Sequence, residues 1–320
     1  ALNFDTLVTV RTSARVREAA ERLGYVPHGG ARSLITNRTG TLGVLLPDLH
    51  GEFFSELIRG VDQTAQRHAY HMLLASSHSD ANEIAAAVGN MRGRVDGFLI
   101  MSPDVAALSA LAELARMFPA VVLGARLEIG AFATISVANY EGAVAMMHHL
   151  LTLGYRRLVF ISGPAGNVDA LDRLRGVRDA SQGVKGVTVR ECCGDFRQET
   201  AYLVTKNLLR TEQPPDVIFC ANDAMAVGTI GAVHEAGLRV PDDVAVVGFD
   251  DIPIARFLTP PLTTVRVPIA DLGARATERL IDALQGGVPL AAHREVLPTS
   301  LVLRASCGAS RRVQSRRNVS

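Results

Sequence analysis

The chain has 320 residues, of which 48% are hydrophobic and only 5% aromatic, and its formal net charge at pH 7 is +1. This length is sufficient for two or three domains, and the composition predicts aliphatic cores. No apolar run reaches the ~18 residues that span a bilayer, and the first residues lack the apolar segment of an intact signal peptide. The composition therefore excludes a helical membrane protein and indicates no partner in the membrane.

Four cysteines occur, and they show no C-x-x-C spacing: Cys192, Cys193, Cys220 and Cys307. A chain of this size does not need disulfides to stabilise its core. We therefore expect reduced thiols in a cytoplasmic protein.

The charge is spread unevenly along the chain. Residues 1–38 contain six arginines and three acids, and residues 301–320 contain five arginines and no acid. A basic end on an acidic body indicates a polyanionic partner at one end of the molecule, although solvated surface is the simpler interpretation.

The first predicted element is a short helix over residues 13–23, with Ser13 as its cap and Gly24 at its end. Its apolar face needs partner helices. The following stretch, GYVPHGGARSL, contains two adjacent glycines and an isolated leucine. A helix this short and glycine-rich is unstable alone in water, so a binding partner must order it.

From residue 41 onward, short apolar runs alternate with amphipathic stretches. This alternation predicts two doubly wound parallel sheets, each a layered α/β unit, with a cleft between them. Segments after residue 251 return across both units. The predicted strands cover residues 41–48, 71–77, 95–101, 120–125, 134–139, 157–163, 187–195, 216–223 and 244–251.

Ligands of open α/β sheets bind beyond the carboxyl ends of the strands, and aromatic and polar residues follow several of the predicted strands. Such a set suits a small polar ligand, since rings stack on it and polar groups pair with it. Each residue also has a simpler interpretation as core, helix cap or surface charge. The candidates are Phe53, Phe54, Arg173, Phe196, Asn222 and Asp250.

No enzyme motif accompanies these residues. The chain has no phosphate-binding loop, no nucleophile elbow and no dinucleotide fingerprint. The histidine pairs, at residues 68 and 71 and at 148 and 149, lack a third ligand. We expect no catalytic residues, no metal and no cofactor.

Several motifs together resemble the lactose-repressor (LacI/GalR) family of transcriptional regulators. They are RVREAAERLGYVPHGGARSL followed by TLGVLLPD, then HHLLTLGYRRLVFISG, and the series CAND, VVGFDD and PPLTTV. The resemblance implies a helix-turn-helix head, a hinge and a core like that of periplasmic sugar-binding proteins. It also implies that the six candidates contact an effector. Leu34, beside Ala31 and Arg32, would wedge into the minor groove of DNA.

The resemblance gives the expected domain boundaries. Residues 1–26 would be the remnant of a head truncated within its helix-turn-helix, 27–38 the hinge and 305–320 a disordered basic tail. The core, 39–304, would comprise one subdomain of 39–154 and 268–290 and another of 155–267 and 291–304. Such a chain would bind DNA weakly and with little sequence preference.

Three positions depart from the family pattern. Gly51-Glu52 precedes the paired aromatics where Asn-Pro is common, Gly124-Ala125-Arg126 follows the fourth strand where Asp-Arg is common, and Val267 stands where some members have a glutamine. These changes leave the identity of the effector open.

We therefore expect a ligand-responsive, sequence-specific DNA-binding regulator. Repression and a homodimer are favoured, with a sugar or related metabolite as effector. A solute-binding protein of a transporter is the alternative. Arg173→Ala is expected to weaken effector binding without unfolding the core.

Overall fold

The structure is a computed structural model. Ala31, Arg32 and Leu34 of the predicted hinge lie outside the residues that it describes, as do residues 310–320 of the predicted tail. The described residues are 8–24, 38–78, 80–101, 117–124, 133–286, 290 and 294–309.

The first helix, α1 (Val10–Arg22), begins earlier than predicted. Its cap is Thr9, whose hydroxyl accepts a hydrogen bond from the backbone N–H of Thr12 at 3.4 Å, so the assignment of Ser13 as cap is wrong. Gly24 follows the helix at φ +60°, as expected for a helix end. No residue of α1 is buried.

The first α/β unit contains one parallel six-stranded sheet in the order β11-β5-β4-β3-β1-β2. Its central strands β1, β3 and β4 are almost entirely buried, which is why they are apolar on both faces. The strands are β1 (Thr41–Leu46), β2 (His71–Ser76), β3 (Gly97–Met101), β4 (Ala120–Leu123), β5 (Ala133–Val137) and β11 (Arg294–Leu297). The helices are α2 (Glu52–Arg67), α3 (Ala81–Met91) and α8 (Ile269–Leu284).

The second unit contains a parallel four-stranded sheet in the order β7-β6-β8-β9. Its strands are β6 (Arg157–Ile161), β7 (Thr188–Cys192), β8 (Val217–Cys220) and β9 (Ala245–Val247). The helices are α4 (Asn139–Thr152), α5 (Val168–Ser181), α6 (Gln198–Thr211) and α7 (Asp223–Glu235). All nine strands predicted between residues 41 and 251 are therefore present, and the predicted fold class is confirmed.

The chain crosses between the units near its end. The structure divides residues 294–304 between two sheets. β11 extends the sheet of the first unit, whereas β12 (Ser300–Val302) pairs antiparallel with β10 (Thr264–Arg266). The returning segment therefore connects the two units, as predicted.

Three expected domain boundaries need correction. Residues 294–297 belong to the first unit, because β11 pairs with β5. Helix α4 belongs to the second unit, because its residue Tyr140 packs so closely on α5 that a Cβ on Gly176 would lie 2.6 Å from the Tyr140 carbonyl oxygen. The core also continues past residue 304, since Ala305–Cys307 forms a 3₁₀ turn in which Ser306 and Cys307 are fully buried.

Helices α2 and α8 of the first unit pack in direct contact. A Cβ on Gly60 in α2 would lie only 1.9 Å from the carbonyl oxygen of Ala270 in α8, so the two backbones touch there. This contact places the amino end of α2, with its aromatic pair, beside the segments that cross between the units. Within the described residues, no helix is both long and apolar enough to cross a membrane.

Candidate ligand-binding cleft

Arg173, on α5, lies at the centre of the candidate site. Its Nε donates a hydrogen bond to Oδ1 of Asn139 at 2.8 Å, and its Nη1 donates to the carbonyl oxygen of Ala221. Its Nη2 lies 3.1 Å from Oδ1 of Asp250, and each of these two charged side chains is only 5% exposed. A buried pair of this kind requires both partners, because either charge alone would be left uncompensated.

This burial changes the expectation for Arg173→Ala. The variant would leave the carbonyl of Ala221 and the carboxylate of Asp250 without their partner inside the core. We now expect it to destabilise the protein as well as the site, by about 3–5 kcal/mol. The expectation of an unaffected core does not allow for this burial, which the sequence alone does not show.

Two aromatic rings flank the guanidinium group. Its central carbon lies 3.9 Å from the ring centroid of Phe249 and 5.7 Å from that of Phe196. Both distances allow a cation–π attraction. Phe196 adopts φ +69°, and its ring packs so closely on Gly163 that a Cβ there would lie 2.4 Å from it. The ring is therefore fixed beside the arginine.

Asp250 is strained and buried. Its backbone has φ +117°, and burial raises the pKa of its carboxyl to about 6, although Arg173 opposes the shift. Oδ1 makes no aligned hydrogen bond among the described residues, so its approach to Arg173 is an ion pair without a directional bond. A buried oxygen in this state is a natural acceptor for a ligand hydroxyl or N–H group.

Two further polar groups support this arrangement. The side-chain oxygen of Asn222 caps α7 by accepting from the N–H of Met225 at 2.9 Å, while its amide donates to the carbonyl of Phe196 at 3.1 Å. Asp223 lies behind them, where it accepts from Thr264 at 2.6 Å and from the N–H of Ile252 at 3.0 Å. Burial and the nearby Asp250 raise the pKa of Asp223 well above its usual value.

The structure thus brings four predicted residues together on the second unit: Arg173, Phe196, Asn222 and Asp250. Phe53 and Phe54 lie on the first unit, where they open α2 with ring centroids 5.5 Å apart in an edge-to-face pair. Both rings are half-buried and pack against the main core. No described hydrogen bond or ring contact joins them to the other four.

Sequence reasoning missed three residues of the cluster: Asn139, Asp169 and Phe249. Asn139 donates from Nδ2 to Oδ1 of Asp169 at 2.8 Å, and it lies two residues after the end of β5, as the first residue of α4. The rule that ligands bind beyond strand ends could have identified Asn139. Phe249 lies two residues after the end of β9, so the same rule could have identified it. Asp169 gave no comparable signal, because its contacts depend on how α5 packs.

A separate cavity of about 470 Å³ lies at the junction of the two units. It is bordered by α2, the start of α8 and the segment after β9. Its lining includes Asp251 and Val267 but none of the six predicted effector residues. The cavity is therefore distinct from the cluster around Arg173.

Two parallel-sheet units with crossing segments and a polar, aromatic cluster define a periplasmic-binding-protein-like module. A family model described as a periplasmic binding protein-like domain matches residues 147–307. The chain is 34% identical to the HTH-type transcriptional repressor PurR of Proteus mirabilis over 88% of this chain and 84% of that protein. It is 33% identical to the ribose operon repressor of Escherichia coli K12 over 88% of this chain and 86% of that protein.

A solved structure gives the same result. The lac repressor dimer bound to operator and the anti-inducer ONPF superposes with a TM-score of 0.84 at 27% identity, over 94% of this chain and 91% of that one. The chain belongs to the LacI/GalR family of transcriptional regulators, as its motifs predicted.

Proposed function

We propose that this protein is a cytoplasmic repressor that binds operator DNA as a homodimer and responds to a small effector in the cleft. It acts by binding and not by catalysis. The effector lies between Phe53 and Phe54 on one unit and Arg173, Phe196, Asn222 and Asp250 on the other. The predicted hinge, with Ala31, Arg32 and Leu34, transmits the response to DNA.

The observation that carries the proposal is the buried Arg173–Asp250 pair, in which one carboxylate oxygen has no aligned hydrogen bond. Most buried polar atoms in protein cores have a hydrogen-bond partner, so this oxygen is a candidate acceptor for a ligand. The flanking ring of Phe196 provides a face on which a sugar or base can stack. These features support a neutral ligand that carries hydroxyl or N–H groups.

The relatives support a regulator over a transport protein. One is named as a repressor of a ribose operon, and the solved lac repressor is a dimer bound to operator. The basic helix α1, which carries three arginines within it and ends at Arg22, has no use in a solute-binding protein.

Self-association is proposed through exposed apolar residues of the second unit. Leu203 on α6 is 62% exposed and borders a groove between α6 and α7. Exposed apolar surface of this kind is typical of a subunit interface.

A thermal-shift screen tests the effector directly. The compounds are D-ribose, D-glucose, cellobiose, adenosine, D-ribose 5-phosphate and D-gluconate, added to the wild type and to Phe196→Ala. Binding to the folded state raises the midpoint by mass action. The proposal predicts a rise with at least one neutral compound that Phe196→Ala reduces. A rise of the same size in both proteins, or no rise with any compound, would contradict it.

A further inference from the structure

The cavity of about 470 Å³ at the junction of the two units shares no lining residue with the cluster around Arg173. Helix α2 and the start of α8 border it on the side of the first unit. Residues 251–256, with Arg266 and Arg304, border it on the other side. Cavities of roughly 300–1,000 Å³ hold small metabolites. This one is therefore large enough for a compound that would contact both units at once.

Four arginines and three acids contribute charge to the lining of this cavity. Two of the acids are already engaged. Glu56 accepts hydrogen bonds from Arg59. Asp251, whose side chain is only 8% exposed, accepts from Nε of Arg266 at 2.7 Å and from Nη2 of Arg304 at 2.6 Å. These carboxylates are therefore neutralised by three of the four arginines.

The fourth arginine, Arg256, is exposed and forms no ion pair within the part of the chain that the structure describes. The central carbon of its guanidinium group lies 4.7 Å from the ring centroid of Phe257. Contact with a ring face attracts the cation but uses none of its N–H donors. An arginine carries five N–H donors, and no described hydrogen bond uses those of the Arg256 side chain.

Arg266 adds further donors to the same cavity. Its side chain is 55% exposed, and its described hydrogen bond to Asp251 uses only Nε. Nη1 and Nη2 carry four more N–H groups, for which no acceptor lies among the described residues. With Arg256, the cavity thus presents two guanidinium groups, whose fork geometry matches the oxygens of phosphate and carboxylate groups. An apolar ligand would instead leave these donors desolvated and unpaired.

We propose that this cavity is a second ligand site, distinct from the cleft, for a small metabolite that carries a phosphate or carboxylate group. Arg256 and Arg266 donate hydrogen bonds to its oxyanion. Because the ligand also contacts α2, it stabilises the two units in the arrangement described here. The site goes beyond the proposed function, in which a neutral effector binds to other residues.

Calorimetry tests the site with inorganic phosphate, glycerol 3-phosphate and citrate. Ionic strength is held constant, because salt screens exposed charges, and glycerol is the neutral control. We expect at least one of the three anions, but not glycerol, to bind the wild type. Arg256→Gln should weaken this binding about tenfold, as loss of a charged hydrogen bond does. Because Arg256 has no described polar partner, the thermal midpoint without ligand should stay unchanged.

Three further variants locate the site. Arg210→Gln removes an exposed arginine at the end of α6, outside the cavity, and should leave anion affinity unchanged. Phe196→Ala alters the cleft and should also leave it unchanged. Asp271→Asn removes an exposed carboxylate that lines the cavity in the first turn of α8. This variant should bind the anion several-fold more tightly, because Asp271 repels a negative ligand.

The inference would be overturned if none of the three anions bound at millimolar concentrations, or if Arg256→Gln and Arg210→Gln bound the anion equally well. Loss of anion binding in Phe196→Ala would also overturn it, since the anion would then lie in the cleft. Weaker binding by Asp271→Asn would place the anion away from this lining and would have the same consequence.

Discussion

The carboxylate of Glu52, at the start of α2, accepts a hydrogen bond from the backbone N–H of Ile254 at 2.8 Å. This bond joins the first unit to the segment that follows β9 in the second. The bond also gives a role to Glu52, which stands at a position where the family often has proline. Glu52 therefore links the two sides of the cleft.

Removing this link should loosen the two units relative to each other. We expect Glu52→Ala to lower the free energy of unfolding by roughly 1 kcal/mol, because a charged hydrogen bond at an exposed site is partly screened. Glu52→Gln keeps an acceptor oxygen and should lose less. Urea unfolding of the three proteins checks this, and equal losses in both variants would show that the bond contributes nothing.

The raised pKa of Asp250 predicts a pH dependence of stability. Its folded-state pKa of about 6 lies above the unfolded value of ~3.9, so the folded protein binds the proton more tightly. Protonation of this carboxyl therefore stabilises the folded state in full below about pH 4. This stabilisation is lost as the pH rises to about 6. The stability of the wild type relative to Asp250→Asn should fall over that range and then level off.

Unfolding of both proteins at pH 4, 5, 6 and 7 measures this difference. His149 makes the free energy of unfolding change with pH in the opposite direction. Burial lowers the pKa of His149, so the folded state loses stability as the pH falls below ~6.5. That contribution is present in both proteins and cancels. A difference that does not change with pH would refute the assignment to Asp250.

The exposed leucine of α6 gives a test of assembly. Leu203→Asp places a charge beside the groove between α6 and α7, and we expect it to shift the protein from dimer to monomer at micromolar concentration. Leu171→Asp is the matched control, because Leu171 is also exposed, at 44%, but lies on α5. Light scattering that reports a monomeric wild type, or equal dissociation by both variants, would count against this surface.

Two helix glycines should respond in opposite directions to alanine. Gly60→Ala would place a methyl group 1.9 Å from the Ala270 carbonyl oxygen, so α2 and α8 must separate, and we expect a loss of about 1–3 kcal/mol. Gly89, in α3, has nothing within 4 Å of its Cβ position, so Gly89→Ala should stabilise by about 0.5–1 kcal/mol. Thermal unfolding checks both, and a neutral Gly60→Ala would contradict the close packing of these helices.

The sequence predicted the architecture well because buried parallel strands are apolar throughout and leave a clear pattern. It predicted less well to which unit each segment after residue 251 belongs. Residues 294–304 look like one apolar stretch, yet strand pairing assigns the two halves to different sheets. Local periodicity does not show which strands pair when they lie far apart in the sequence.

For the site, the strand-end rule identified Arg173, Asn222 and Asp250, and the family resemblance supported all three. The degree of burial of Arg173 could not be predicted, because it follows from the packing of Phe249, Ala221 and Asn139 around it. Asp169 was also missed, because its contact with Asn139 depends on how α5 packs.

The central claim is that a small effector in the cleft controls DNA binding. The most direct measurement is fluorescence anisotropy of an operator duplex, obtained by selection from a random library and bound to the full-length protein. The compound that stabilises the core in the thermal-shift screen is then titrated into this complex. We predict that DNA affinity changes at the concentrations at which the compound binds, and that Phe196→Ala shifts both responses together. DNA affinity that stays constant while the compound saturates the core would contradict the account.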